Sequence, residues 1–284
     1  VSKYEPMKMA AIEAQWTTQQ APASWYVIGF PEQDAQKNKG VIAVPYALSL
    51  IADHNLTGTV TGIQQLEALD EVKIIQGYQS YLALEQLREN TFTSEQARTE
   101  AQKAFKQYRQ YVGYGMLLAH QMALENTTHP TPALIAQTAK SAVPEVWILF
   151  WAFRIMIGCW ALMALIFVLA TFFLLKGQLM KQRWLLRLSL YAIPLPWLAA
   201  ESGWVIAEVG RQPWVVKGIL PTFFGVSSVS WQTVAFSLGG FALCYLVLFI
   251  VEMFLMFKYA RLGPSSLGEG RYHFEASSSV NHTH

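Results

Sequence analysis

The hydrophobic positions of this chain gather into three long runs, all in its second half. The runs cover residues 146–175, 188–207 and 229–257. A membrane-spanning helix needs about 20 mainly apolar residues, and a buried helix of a soluble protein rarely stays apolar for that length. The pattern therefore predicts three transmembrane helices. Pro194 and Pro196 lie inside the second run and predict a bend there.

The first 145 residues are more polar and predict a partly helical domain. Pro6 stands at a plausible first helical position and is followed by good helix formers. Thr93 and Gln96 have the spacing of a capping box before a second helical pattern. Residues 30–40, FPEQDAQKNKG, have the composition of a loop. The fold class that we predict is an all-α integral membrane protein with a mostly helical outward-facing domain.

Basic residues beside the apolar runs indicate the direction of the chain through the membrane. Seven of them follow the first and third runs, namely Lys176, Lys181, Arg183, Arg187, Lys258, Arg261 and Arg271. Only Arg211 and Lys217 lie between the second and third runs. Basic residues of short loops mark the cytoplasmic side. We therefore expect a periplasmic domain at 1–145, membrane helices within 146–262 and a cytoplasmic tail at 263–284.

Composition excludes other classes of protein. Hydrophobic residues make up 53% of the 284 residues and charged residues 14%, against about 25% charged in a soluble domain. The formal net charge of +2 gives no reason to expect a nucleic-acid partner. Cys159 and Cys244 both lie in apolar runs, which indicates buried small side chains and no disulfide. The sequence contains no P-loop and no dinucleotide-binding motif.

Four ionisable residues lie in or at the ends of the apolar runs: Arg154, Glu201, Glu208 and Glu252. A charged group inside a membrane is costly and therefore indicates a functional site. Glu252 is the exception, because it lies near the end of the third run and can reach the membrane surface.

The segment GWVIAEVGRQPW, residues 203–214, carries part of a polar stripe. Glu201, Trp204, Glu208 and Arg211 follow the spacing i, i+3, i+7 and i+10, so on a helix they share one face. One interpretation is a buried ion pair that fixes the register of the helices. The other is a surface that faces a cofactor or a proton path.

Arg154 and Met156 form a second candidate site in the outer half of the first run, FWAFRIMIG. A thioether is a soft ligand that suits haem iron, and an arginine can pair with a haem propionate or raise the reduction potential. The two residues lie about 200° apart around a helix, so they cannot address one small target side by side.

Several motifs together resemble subunit I of the cytochrome bd-type ubiquinol oxidases. They are GWVIAEVGRQPW, FRIMIG, KMAAIEAQW, IPLPW and MFKYARLGPSSLGEGRYHFE. The resemblance covers nearly the whole chain and implies the C-terminal half of that subunit. It identifies residues 1–145 with the long quinol-binding loop and the three runs with the last three of nine membrane spans. Since the chain opens at Val1 with charged sequence typical of a domain interior, we expect a piece of a longer protein.

The resemblance also implies roles for single residues. Met156 matches the axial ligand of a low-spin haem b, and Glu208 matches the ligand of a high-spin haem b. Lys8 and Glu13, in KMAAIE, match a lysine and a glutamate of quinol oxidation. The positions that match residues near the haems are Arg154, Glu201, Trp204 and Arg211.

The implied function is a respiratory terminal oxidase that oxidises ubiquinol or menaquinol at the outer face of the bacterial inner membrane. It reduces oxygen to water and generates a proton motive force, using the two b haems and haem d. The family also needs histidine ligands, but none of the six histidines of this chain lies in an apolar run. The implied partners are therefore the N-terminal half of subunit I with those histidines, subunit II, a small single-span subunit and the lipid bilayer. The alternative function is a membrane scaffold or transport subunit whose charges only lock helices.

Overall fold

The computed structural model describes residues 5–20, 23–45, 48, 60–89, 92 and 94–262. The chain divides into two compact units, residues 1–226 and residues 227–284. Each unit is described by itself. The first unit contains residues 1–145, which the sequence predicts to face outward, and most of the predicted membrane segment, and the second contains one long helix.

The segment before residue 146 is built mainly from helices. In chain order they are α1 (Pro6–Ile12), α2 (Ile63–Glu89), α3 (Glu95–Tyr108), α4 (Val112–Leu124) and α5 (Pro132–Ser141), with a short 3₁₀ turn at Arg109–Tyr111. Pro6 opens α1 as the sequence predicts, because its missing N–H is not needed in the first turn. The cap of α3 is Ser94, whose hydroxyl accepts the Ala97 N–H at 3.3 Å. The predicted cap, Thr93, lies outside the described residues.

Two β-hairpins correct the prediction of an all-α fold. Strands β1 (Trp25–Glu32) and β2 (Lys37–Val44) pair antiparallel, and β3 (Trp214–Val216) pairs with β4 (Leu220–Pro221). The stretch 30–40 is therefore the end of one strand, a turn and the start of the next. Its polar residues describe only the turn, whereas the aromatic and β-branched residues beside them favour strands.

The first and third predicted membrane spans are continuous helices. Helix α6 (Val146–Leu175) has the predicted bounds of the first span, and α9 (Trp231–Leu262) covers most of the third and extends beyond its end. Within the described ranges, two helical segments, in α6 and in α9, are long and apolar enough to cross a membrane.

The second predicted span, residues 188–207, is not one helix. It is divided between α7 (Arg183–Tyr191) and α8 (Leu195–Val209). Pro194 and Pro196 interrupt the backbone hydrogen bonds and produce a break, which is stronger than the predicted bend. At 1.5 Å per residue α8 is about 22 Å long, less than the roughly 30 Å of a hydrocarbon core. A third span through the membrane stays a prediction.

One hydrophobic core joins the segment before residue 146 to α6 and α8. Buried side chains of α1, such as Ala10 and Ile12, pack with Leu149 and Phe150 of α6 and with Ile206 of α8. A second core packs α2, α4 and α5 around the indole of Trp214. The position of α1 over α6 is therefore set by apolar contacts, and this position creates the candidate site.

Candidate functional site

Arg154 points from α6 into the interior, where it meets residues far away in the sequence. Its guanidinium donates to Glu13 Oε2 at 2.7 Å, to the Ile12 carbonyl at 2.6 Å and to the Tyr26 carbonyl at 2.6 Å. Arg154 is 9% exposed, and its partners come from α1 and β1. A buried guanidinium needs such a set of acceptors, since otherwise its desolvation is not offset.

Aromatic rings complete the surroundings of this guanidinium. Its Cζ lies 3.6 Å from the ring centroid of Phe150 and 5.8 Å from that of Trp25. A cation over a ring face is stabilised further when water is excluded. Arg154 is therefore a fixed structural element between α6 and the segment before residue 146.

Glu13 is the acidic partner, and it is fully buried, with 0% of its surface exposed. It follows the last residue of α1, and the chain then turns through Ala14 with φ at 49°. Oε2 accepts from Arg154, whereas Oε1 has no hydrogen-bond partner among the described residues. The indole N–H of Trp25 is buried and also lacks a partner there.

The surroundings of Glu13 make its carboxylate a suitable proton acceptor. Burial raises the pKa of the Glu13 carboxyl, and the charge and hydrogen bond of Arg154 lower it by less. A carboxylate with a raised pKa and one unused oxygen is suited to take up a proton.

Lys8 does not share this surrounding, although it lies only five residues away. Its Nζ donates to the Ala207 carbonyl of α8 at 3.4 Å. Its alkyl chain passes Gly210, where a Cβ would lie 2.8 Å from the lysine Cε. The two predicted quinol residues therefore contact different neighbours, Glu13 the interior and Lys8 the end of α8.

Lys8 lines a cleft of about 280 Å³ between α1, α2, α4 and the loop after α8. Inside the cleft Lys73 donates to Asp70 at 2.6 Å, and Tyr114 donates to the same carboxylate at 3.3 Å. Burial, and after it the nearby Asp70 charge, raise the pKa of Tyr114. At 2.6 Å, Lys217 pairs with Glu5, which also lines the cleft.

Sequence reasoning missed Asp70, Lys73 and Tyr114. The spacing of Asp70 and Lys73, i and i+3, is typical of any solvated helix face. Only the packing of α4 against α2 turns that pair towards Lys8.

The residues of the polar stripe are more exposed and less tightly bound than Arg154. Helix α8 ends at Val209, so Arg211 lies in the following turn and not on the helix face that its spacing predicts. The Arg211 guanidinium reaches Glu208 at only 3.8 Å. Trp204 is 62% exposed and Glu201 is exposed as well. Glu201 and Trp204 therefore face away from the described residues of the first unit, whereas Arg211 also lines the cleft that contains Lys8.

Met156 lies beside this stripe. A Cβ at Gly203 of α8 would lie 3.5 Å from its Sδ, so the thioether sits against the residue that precedes Trp204. Met156 is partly buried, and it lies across the helix from Arg154 as expected. The structure thus brings Met156 towards the stripe and takes Arg154 to Glu13.

Comparison with known proteins assigns the family. Residues 1–264 match the profile described as cytochrome bd terminal oxidase subunit I. The chain belongs to this family. It is 36% identical over 267 residues to cytochrome bd-II ubiquinol oxidase subunit 1 of Escherichia coli (strain K12), covering 94% of this chain and 51% of that protein.

A more distant relative of the cytochrome bd family also matches most of this chain and less than half of its own length. Cytochrome bd ubiquinol oxidase subunit 1 of Bacillus subtilis (strain 168) is 26% identical over 260 residues, covering 91% of this chain and 42% of that protein. The chain thus spans about half the length, or less, of these two relatives. The resemblance expected from the sequence motifs is confirmed.

Proposed function

We propose that this chain is the C-terminal half of the haem-bearing subunit of a respiratory terminal oxidase. In this proposal quinol is oxidised at the outer face of the bacterial inner membrane, oxygen is reduced to water, and a proton motive force results. The family match and the names of the two relatives, both ubiquinol oxidase subunits, support the proposal. The observation that carries it is the buried pair of Glu13 and Arg154, which joins a proton-accepting group to a membrane helix two residues from Met156.

The proposed quinol chemistry uses Glu13 and Lys8. Oxidation of ubiquinol or menaquinol releases two electrons and two protons, so a base is required. Glu13 accepts one of these protons on its unpartnered Oε1, and Arg154 holds the carboxylate in place through Oε2. The second proton is released at the outer face, and the two electrons pass to the haems of the complex. Lys8 lines the cleft between α1, α2 and α4, which Glu13 does not line, and would donate a hydrogen bond to a quinol oxygen there.

The proposed haem-binding residues are Met156 and the residues of the polar stripe. Met156 would ligate a low-spin haem b and Glu208 a high-spin haem b, while Glu201, Trp204 and Arg211 would line them. The residues fit such groups, since each offers a donor or a ring on a surface that the described part of the chain leaves open. Bound haems supply electron transfer from quinol to oxygen. Arg154 would act on the low-spin haem through its charge, because its hydrogen-bond donors are engaged by Glu13 and three backbone carbonyls.

The remaining parts of the oxidase would come from other chains or segments. No group of three histidine, cysteine or acidic side chains suitable for a metal occurs in the described ranges. Because none of the six histidines of this chain lies in an apolar run, the proposal places the histidine ligands and haem d with the N-terminal half of subunit I, beside subunit II and a small single-span subunit. Residues 1–145 would be periplasmic and the C-terminus cytoplasmic.

A difference spectrum of the purified complex tests the proposal. Dithionite-reduced minus air-oxidised spectra should show two b-type components and a far-red chlorin band. Met156→Leu should remove the low-spin component alone, and Glu208→Ala the high-spin component alone, because each deletes one iron ligand. A complex that keeps both components in both variants would refute the ligand assignment. A colourless but fully assembled complex would refute the function.

A further inference from the structure

A basic segment follows the membrane helix α6. Four basic residues occur within twelve positions, and all are exposed: Lys176, Lys181, Arg183 and Arg187. The sequence has no acidic residue between Glu145 and Glu201. None of the four forms an ion pair within the part of the chain that the structure describes. This local charge therefore has no counter-charge in the described chain.

Two of these four basic residues, Arg183 and Arg187, belong to α7. A break in the helix at residues 192–194 separates α7 from α8. Arg183 and Arg187 are one turn apart and share its exposed face, while Leu185 is fully buried. The indole of Trp184 is exposed but held in place, because its ring lies 6.5 Å from Phe173 and its Nε1 donates to a neighbouring glutamine. Helix α7 is thus a short amphipathic helix fixed to the end of α6.

The position of α7 relative to a bilayer follows from α6. The apolar helix ends at Leu175, and Lys176 comes next, with its Nζ 4.3 Å from the ring centroid of Phe172. Basic and indole side chains at the end of a spanning helix lie at the depth of the lipid headgroups. The exposed Leu186 and Leu190 beside the arginines need an apolar surrounding at that same depth.

We propose that the exposed face of α7, with Lys176 and Lys181, binds the phosphate groups of anionic phospholipids in the leaflet where α6 ends. Arginine forks suit phosphate oxygens, and the two lysines add positive charge. A zwitterionic lipid is a poorer ligand, because its own ammonium compensates the phosphate. A lipid fits better than an acidic partner protein, since the face combines cations with exposed leucines and an indole. This site is separate from the proposed quinol and haem chemistry.

Photo-crosslinking in the complete oxidase complex tests the lipid site. A benzoylphenylalanine replaces Met180, which is 81% exposed. Met180 lies between Lys176 and Lys181 in the chain, three residues before α7 begins. The complex is reconstituted in vesicles of equal parts phosphatidylglycerol and phosphatidylcholine, and the adduct is identified by mass. We expect phosphatidylglycerol adducts to exceed phosphatidylcholine adducts.

Charge variants show whether this preference comes from α7. Arg183→Gln with Arg187→Gln should lower the ratio of the two adducts by at least about fivefold, as expected for loss of basic residues at an anionic surface. Arg183→Lys with Arg187→Lys should keep most of the ratio. The matched control is Lys103→Gln with Lys106→Gln, which removes two exposed charges from α3 and should change nothing. Unchanged difference spectra show that each variant assembles.

Three results would overturn the lipid site. They are a main adduct with a partner-subunit peptide, equal adducts of the two lipids, and a ratio that the glutamine variant leaves unchanged. If the glutamine variant does not assemble, the salt dependence of the adduct ratio in the wild-type complex tests the lipid site instead. The ratio must fall as salt rises to about 0.5 M, because screening weakens contacts with exposed charges, and a salt-independent ratio contradicts the proposal.

Discussion

Arg154 and Arg211 have the same side chain, and the sequence predicts both beside haem, yet their surroundings differ. Arg154 is 9% exposed and is held by a carboxylate and by backbone carbonyls. The Arg211 side chain is 53% exposed and has one contact with Glu208 at 3.8 Å. This chain therefore completes one polar site by itself, whereas the Arg211 side chain is left free for contacts with other groups.

The largest effect should come from breaking the completed site. Arg154→Leu leaves Glu13 buried without a counter-charge, which costs about 3–5 kcal/mol. We expect a lower thermal unfolding midpoint of the complex and a smaller yield of assembled protein, measured by scanning fluorimetry and haem content. Adding Glu13→Gln to Arg154→Leu should restore part of the loss, since no buried charge remains. Equal instability of the single and double variants would show that the pair is not the cause.

The quinol reaction should also depend on the completed site. Glu13→Gln removes the proposed proton acceptor and should slow quinol oxidation about 10²-fold or more. Lys8→Gln should slow it less, about tenfold, the effect of one hydrogen bond to a charged group. Glu13→Gln leaves the Arg154 guanidinium without its counter-charge and should also lower the yield of assembled complex. Oxygen consumption with an artificial electron donor, measured per assembled complex, should stay near the wild-type rate in both variants. Equal losses with both donors would indicate damage to the fold.

The pH dependence gives a second check on Glu13. Its carboxyl must be ionised to accept a proton, so quinol oxidation should fall as pH drops through its pKa. The ordinary pKa of an exposed glutamate is about 4.3. Because burial raises the pKa of Glu13, the fall in quinol oxidation should begin at a higher pH than it would for an exposed glutamate. The acidic limb should disappear in Glu13→Gln. A limb that persists in that variant belongs to another group.

An intermediate effect is expected in the cleft, where burial is less complete. Asp70→Asn removes the anionic acceptor of Lys73 and Tyr114 and should lower stability by about 1–3 kcal/mol. Tyr114→Phe should cost less, because it removes one hydrogen bond of 3.3 Å. Thermal midpoints measure both variants. A larger loss for Tyr114→Phe than for Asp70→Asn would assign the stabilisation to the Tyr114 hydroxyl and not to the carboxylate.

The smallest effect on stability should come from the open site. Arg211→Gln removes a loose, half-exposed ion pair, which contributes at most about 1 kcal/mol. The thermal midpoint should therefore stay close to that of the wild type, whereas the haem difference spectrum should shift if the stripe lines a haem. A large stability loss without a spectral shift would mean that Arg211 has a structural role like that of Arg154.

Local signals in the sequence predicted some elements well and others poorly. The uninterrupted apolar run at 146–175 predicted both ends of α6, because twenty or more apolar residues have one stable arrangement in a bilayer. The hairpin of β1 and β2 was missed, since its polar turn suggested a loop and its pairing depends on contacts between segments. The two prolines showed where the second run weakens but not that it ends one helix and starts another.

The sequence by itself determined the apolar helices, the family and the residue types of the candidate site. Composition and short motifs are enough for these, because they depend on neighbouring residues. Only the tertiary structure decided that Glu13 meets Arg154, 141 positions away, while Lys8 turns to the end of α8. The physical reason is that the packing of α1 on α6 buries the carboxylate and the guanidinium together, and neither is stable there without the other.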